Sequence, residues 1–199
     1  YKDFQILEDS IFYMNDKIHL YLKVNEGNPY FIRDISWEGN STKSDSLLNN
    51  ISEIKKGDLF NKQDFDMKTL ESIRSIYMDE GFLNVNVQSV IKPVINQDSL
   101  DIKFLISENQ IFNVNDIIIS GNKKTDESVI RRELDIYPGE KFNRNKLYQS
   151  VTDLWMLNFF SDVVPKVNPI SDNEIDLEIE VLEKSVGTAN FSMGYNQVH

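Results

Sequence analysis

The sequence predicts an α+β fold built as a tandem array of β-α-α-β-β repeats, with helices on one face of each sheet. Three observations carry this reading. The stretch Asp34 to Asn61, DISWEGNSTKSDSLLNNISEIKKGDLFN, and the stretch Asp116 to Asn143, DIIISGNKKTDESVIRRELDIYPGEKFN, run through the same order of features. Gly39-Asn40 answers Gly121-Asn122, Gly57 answers Gly139, and Phe60-Asn61 answers Phe142-Asn143, at a constant offset of 82 residues. A gapless match at one fixed period is the mark of a repeat architecture. Second, Leu100 to Glu108 repeats at that same offset the alternating run that closes in Val24-Asn25-Glu26. Third, apolar residues alternate with period two in some segments and recur at helical spacing in others, the signature of strands and helices in one chain.

Composition sets the outer bounds. The 199 residues are 40% hydrophobic and 27% charged, the profile of a folded chain and not a disordered one. Repeats of about 80 residues bury little core apiece, so packing against their neighbours is expected to matter. A net charge of −11 argues against nucleic acid and anionic membrane surfaces, which select for clustered Lys and Arg. There is no cysteine, hence neither a disulfide framework nor thiol chemistry. No 18-residue apolar run and no signal peptide occurs.

Residues 1–28 are expected to be the closing hairpin of an earlier copy. Ile18, Leu20, Leu22 and Val24 alternate with polar neighbours, Phe4 to Phe12 supplies the partner strand, and Asn15-Asp16 supplies the turn. The first full repeat, 29–108, opens with a strand from Tyr30 to Trp37. Ser44 and Asp45 begin a helix carrying Leu47, Leu48, Ile51 and Ile54, which Gly57 is expected to close. Asn61 caps a longer helix, with Phe65, Leu70, Ile73 and Tyr77 as its buried stripe and Gly81 at its end. Val85 to Val94 and Leu100 to Ile106 follow as a hairpin around Asn96-Gln97-Asp98. The short link Ser107-Glu108-Asn109-Gln110 has no flexible composition, which predicts a stiff joint.

The second repeat, 109–184, keeps the order. Thr125, Asp126 and Glu127 start its first helix, and Pro138-Gly139 makes a corner. The helix from about Arg144 to Leu157 is one turn shorter than its counterpart. Ile175, Leu177, Ile179 and Val181 alternate with Asp176, Glu178 and Glu180, one face dry and one wet.

Together, the "GN" turn, "VIRREL", "PGEKFN", "LNFFSDV" and the closing "VLEK" resemble the POTRA domain. The tail GTANFSMGYN, Gly187 to Asn196, resembles the first barrel strand that follows the last POTRA domain in BamA-like outer-membrane assembly factors. Ala189, Phe191, Met193 and Tyr195 alternate there with Thr188, Asn190, Ser192 and Gly194, the apolar-out, polar-in pattern of a transmembrane barrel strand. The resemblance implies a three-stranded mixed sheet with two helices in each repeat. It divides the chain into a partial POTRA hairpin (1–28), two POTRA domains (29–108 and 109–184) and the start of a barrel (185–199). It also implies a place on the periplasmic side of the outer membrane of a Gram-negative bacterium. Its partners would be unfolded outer-membrane proteins, periplasmic accessory lipoproteins, and the membrane through the barrel. Alternatives within the resemblance are a TamA-like or two-partner-secretion transporter, and a purely structural spacer.

Residues able to carry chemistry are scarce. His19 and His199 have no cysteine partner, and Asp172-Asn173-Glu174 lacks a calcium-loop pattern and sits at a hairpin turn. No catalytic group, metal ligand set or cofactor loop is identified, and Trp37 and Trp155 read as packing residues. Most basic residues of the second repeat fall between Lys123 and Lys146. Lys123, Lys124, Arg131 and Arg132 could form a face for an accessory partner, though such runs are usually solvated helix faces.

Pro93 in the first repeat, and Pro165 and Pro169 in the second, mark the strand before the closing one as an edge, because proline cannot donate to a ladder. The proline-free stretch Val85, Asn86, Val87, Gln88, Ser89, Val90, Ile91 is therefore the expected strand on which an extended client pairs by β-augmentation.

Overall fold

The computed structural model describes residues 3–184. The expected barrel strand with Ala189, Phe191, Met193 and Tyr195 lies outside the described residues. Internal contacts divide the chain into two compact units, Tyr1–Asn113 with Lys141–Asn145, and Val114–Glu140 with Lys146–His199.

The first unit begins with the antiparallel hairpin β1 (Gln5–Met14) and β2 (Lys17–Asn25). Asn15 and Asp16 both hold positive φ at its two-residue turn, as a tight hairpin with right-handed strand twist requires. Its register sets Ile11 opposite Leu20 and Tyr13 opposite Ile18 on one face, while Glu8 pairs with Lys23 on the other. The apolar face is exposed, with Ile18 at 69% and Leu20 at 59%.

Next come β3 (Phe31–Glu38), α1 (Asp45–Ser52), a long helix, β4 (Asn86–Pro93) and β5 (Ser99–Ser107). The sheet order is β3-β5-β4, with β3 parallel and β4 antiparallel to β5. The closing strand is central and the proline-bearing strand is an edge, as the prolines predict. Leu100, Ile102, Phe104 and Ile106 of β5 alternate into the core. Phe104 is its centre, stacked on Trp37 at 4.2 Å and tilted against Phe65 at 5.7 Å.

Ser44 caps α1 through the Leu47 N–H, as expected. Gly57 does not close that helix. Glu53 takes the left-handed conformation there, while the Gly57 N–H reaches the Ile32 carbonyl at 2.7 Å. Asn61 caps the long helix by accepting from Gln63 and Asp64. That helix runs as α2 (Lys62–Asp64), a π-helical turn (Phe65–Thr69) and α3 (Leu70–Met78). The π turn follows from the spacing of its buried residues. Phe65, Thr69, Ile73 and Tyr77 recur every fourth position. Four residues overshoot an α-turn by about 40°, so three such steps would swing the stripe off the sheet. The Leu70 N–H bonding back to the Phe65 carbonyl winds one turn more loosely and takes back part of that drift. Thr69, not Leu70, therefore holds the buried position. Past α3, Phe82 and Gly81 donate to the Tyr77 and Met78 carbonyls, and the Phe82 ring meets the Tyr77 ring edge-on at 5.9 Å.

The second unit is built from β6 (Asn113–Ser120), α4 (Glu127–Arg131), α5 (Arg144–Met156), β7 (Phe160–Pro169) and β8 (Glu174–Glu183), in sheet order β6-β8-β7. Asp126 is the cap of α4, one residue past the expected Thr125. The buried residues of α5, Leu147, Ser150 and Leu154, follow regular helical spacing, and the helix has no π turn. Trp155, expected to pack, is 42% exposed. The repeat extends to single bonds: Ile32 to Asp58, Gly57 to Ile32 and Phe60 to Tyr30 recur as Val114 to Glu140, Gly139 to Val114 and Phe142 to Phe112.

Candidate functional site

The candidate site is the free edge of the first repeat's sheet. Among the described residues, only one of that sheet's two edges is open along its length. The outer side of β3 is occupied at its start, because Ile32 exchanges backbone bonds with Gly57 and Asp58. Further along, a bulge at Arg33 and the Asp34–Lys56 ion pair guard it. Strand β4 has β5 on one side and, among the described residues, no strand on the other. Asn86, Gln88, Lys92 and Pro93 are exposed, while Val87 (4% exposed) anchors the strand in the core. In an antiparallel edge strand every second residue turns its N–H and C=O outward, which is the template an added strand needs. One expected member is corrected: Val85 precedes β4, is buried, and its N–H is taken by the Phe82 carbonyl. The exposed ladder begins at Asn86.

The matching edge in the second repeat is less regular. Strand β7 carries Pro165 opposite Ile179 and Pro169 opposite Ile175, and its register slips between Phe160 and Asp162. Its sheet's other edge, β6, is bonded at Val114 by Gly139 and Glu140, and the Arg131 guanidinium donates to the Ile117 carbonyl at 3.0 Å.

The four expected docking cations sit on the β6–α4 loop (Lys123, Lys124), on α4 (Arg131) and at its C-cap (Arg132). Arg131 pairs with Glu127 at 2.6 Å and Arg132 with Glu133 at 2.9 Å, so adjacent carboxylates dilute the field of that face. Lys123 and Lys124 are exposed on the loop.

A carboxylate latch in each repeat went unnoticed in the sequence. Glu108, just after β5, accepts from the Thr42 N–H at 2.9 Å and the Thr42 hydroxyl at 3.0 Å. Glu183, ending β8, accepts from the Lys124 and Thr125 N–H groups, the latter at 2.6 Å. The bonds from Thr125 hold the Glu183 carboxyl below the usual carboxylate range. A lowered folded pKa stabilises the fold above the unfolded value and loses that contribution as pH falls through the folded one. Glu183→Gln is therefore expected to flatten the acid side of the second repeat's stability profile, where pH falls below the ordinary glutamate range, measured by urea melts. An unchanged profile would show that the latch does not couple to folding.

Beside the first latch, the Tyr77 hydroxyl is fully buried, lies close to the Glu108 carboxylate, and makes no well-aligned hydrogen bond among the described residues. Burial, reinforced by Glu108 and Glu80, drives its pKa far above the ordinary tyrosine value. Tyr77→Phe removes an unsatisfied polar group and is expected to be neutral or stabilising, by about 0–1 kcal/mol in chemical denaturation.

Among the described residues no group of three or more acidic or histidine side chains could hold a metal ion. Nor is any helix there long and apolar enough to cross a membrane, which has no bearing on strands.

Comparison with known proteins matches this architecture twice. The family described as "Surface antigen variable number repeat", POTRA, covers residues 30–109 and 112–184. The chain belongs to the POTRA family. Among curated relatives it is 26% identical over 201 residues to the outer membrane protein assembly factor BamA of Buchnera aphidicola, covering 98% of this chain and 32% of that protein. It is also 26% identical over 204 residues to BamA of Neisseria meningitidis serogroup B, covering 99% and 25% respectively. The chain thus spans a quarter to a third of these relatives' length. The crystal structure of Haemophilus influenzae BamA POTRA3-5 superposes with a TM-score of 0.79 at 23% identity, over 92% of this chain and 74% of that one. The tandem POTRA fold with mixed sheets is thereby shown, and the chain is similar over nearly its whole length to the POTRA region of BamA. POTRA domains of this kind lie on the periplasmic side of the outer membrane of Gram-negative bacteria.

Proposed function

We propose that this POTRA region receives unfolded outer-membrane proteins by β-augmentation along β4 and hands them on for insertion, without covalent catalysis. The observation that supports this is the open edge from Asn86 to Ile91, proline-free and lying beside an otherwise complete sheet. Backbone bonds carry such binding, so one edge accepts many client sequences. The same logic ranks the two repeats: β7, with its prolines and slipped register, offers fewer consecutive donors. A periplasmic accessory lipoprotein is the second partner of this proposal, placed on the loop of Lys123 and Lys124 and on α4 with Arg131 and Arg132.

Titrating an extended peptide from an outer-membrane strand while recording amide shifts tests the reading. Shifts should run along Asn86–Ile91 and be weaker on β7. Neighbouring residues alternate in direction, so of Val87→Pro and Gln88→Pro one removes an outward N–H and the other a bond to β5. The variant that keeps the fold by circular dichroism should lose peptide binding. Shifts confined to the helices, or none at millimolar peptide, defeat the proposal.

A further inference from the structure

The first repeat holds a groove of about 330 Å³ between the end of α1, the 57–60 segment and the π-helical turn. Its floor is apolar, from Ile32, Ile54, Phe60 and Phe65, and its rim carries Glu53, Asp58 and Asp64. The 82-residue repeat supplies an internal control for what the fold itself demands there. At the position of Asp58 and Asp64 the second repeat has Glu140 and Lys146, which pair at 2.9 Å and hold the Glu140 carboxyl below its ordinary pKa. The first repeat has a carboxylate at both positions. Asp64 accepts from the Asn61 side-chain amide and pairs with Lys68, and Asp58 accepts from the Lys55 N–H; Lys68 is 75% exposed, and a solvent-screened pair of this kind contributes little.

The apolar rim differs in the same way. Phe31 and Leu59 face each other across a backbone bridge at the groove's edge, 47% and 53% exposed. The matching bridge of the second repeat joins Asn113 and Lys141. Polar residues therefore satisfy this backbone, and the exposed apolar pair of the first repeat is not required for folding. A concave apolar floor, an apolar lip and two carboxylates with no cation at the position of Lys146 define one kind of occupant.

We propose that this groove docks a partner polypeptide that inserts an apolar side chain against Leu59 and Phe65 beside a Lys or Arg. That cation takes, between Asp58 and Asp64, the role that Lys146 plays beside Glu140. The surface is separate from the β4 edge, so client pairing and this docking report on different residues.

The test uses two small probes, acetyl-Leu-Arg-Leu-amide and acetyl-Leu-Glu-Leu-amide, titrated to roughly 10 mM, the range of a weak isolated contact. The cationic probe is expected to shift amides from Glu53 to Thr69, with the shifts shrinking as salt rises. Asp64→Lys and Leu59→Lys transplant the second repeat's own residues and so keep a viable backbone; each should abolish the shifts. The proposal is overturned if the anionic probe shifts the same amides equally. It also fails if the shifts survive Asp64→Lys, if neither probe shifts them, or if they follow protein concentration without probe, which would make the occupant a second copy. Shifts along Asn86–Ile91 alone would leave the client edge standing and remove this site.

Discussion

Replacing Gly121 with alanine is expected to destabilise the second repeat by more than about 4 kcal/mol, enough to unfold a domain of this size. A Cβ at Gly121 would stand 2.0 Å from the Val181 carbonyl oxygen, and the residue holds φ +88°. The obstruction is backbone of the central strand, so no side-chain rotation relieves it. Either β6 parts from β8 or the turn unwinds. Gly39 is in the same position, 2.0 Å from the Ile106 carbonyl oxygen at φ +87°, and Gly39→Ala should damage the first repeat equally. The asparagine that follows completes the turn in both copies, donating to the Lys43 and Thr125 carbonyls. Urea melts read by Trp37 or Trp155, with the other tryptophan replaced by phenylalanine, separate the two repeats. A midpoint corresponding to less than about 1 kcal/mol of loss would refute the steric account.

Phe104→Ala should cost about 3–5 kcal/mol, the range for emptying a fully buried aromatic site. Phe104 is wholly buried, and it bridges Trp37 of β3 and Phe65 of the π turn. Removing it leaves both partners facing a cavity that a three-stranded sheet cannot close. Phe104→Leu keeps most of the volume and should cost less than half as much. Equal losses for the two variants would show that the ring's stacking, and not its volume, holds the core.

The repeat made most of this fold legible. A constant offset in sequence became a constant offset in backbone bonds, from Ile32–Asp58 to Val114–Glu140. Proline placed the edge strands because its chemistry is local. What escaped was set by distant or collective geometry. Glu108 and Glu183 look like ordinary strand-end acids, since the N–H groups they hold lie about 60 residues away in sequence. The π turn could not be read because Thr69 is a weak apolar signal beside Leu70, and helical period alone favoured Leu70. Gly57 resembled a helix stop because its left-handed backbone is real, but it serves the edge of β3. The groove was hidden because its meaning lies in a contrast between copies, Phe31 and Leu59 against Asn113 and Lys141.

The strand-like pairing of Gly57 and Asp58 with Ile32 has a consequence for growth into fibres. A sheet with two open edges is a bifunctional monomer: each copy can join two others, and a chain reaction of edge pairing has no stopping point. With β3 occupied by its own loop, the first repeat's sheet is monofunctional. One added strand, or one other copy, uses its whole capacity, and the product offers no site for the next. The first repeat's sheet can then keep one open edge at high local concentration without becoming the seed of a polymer.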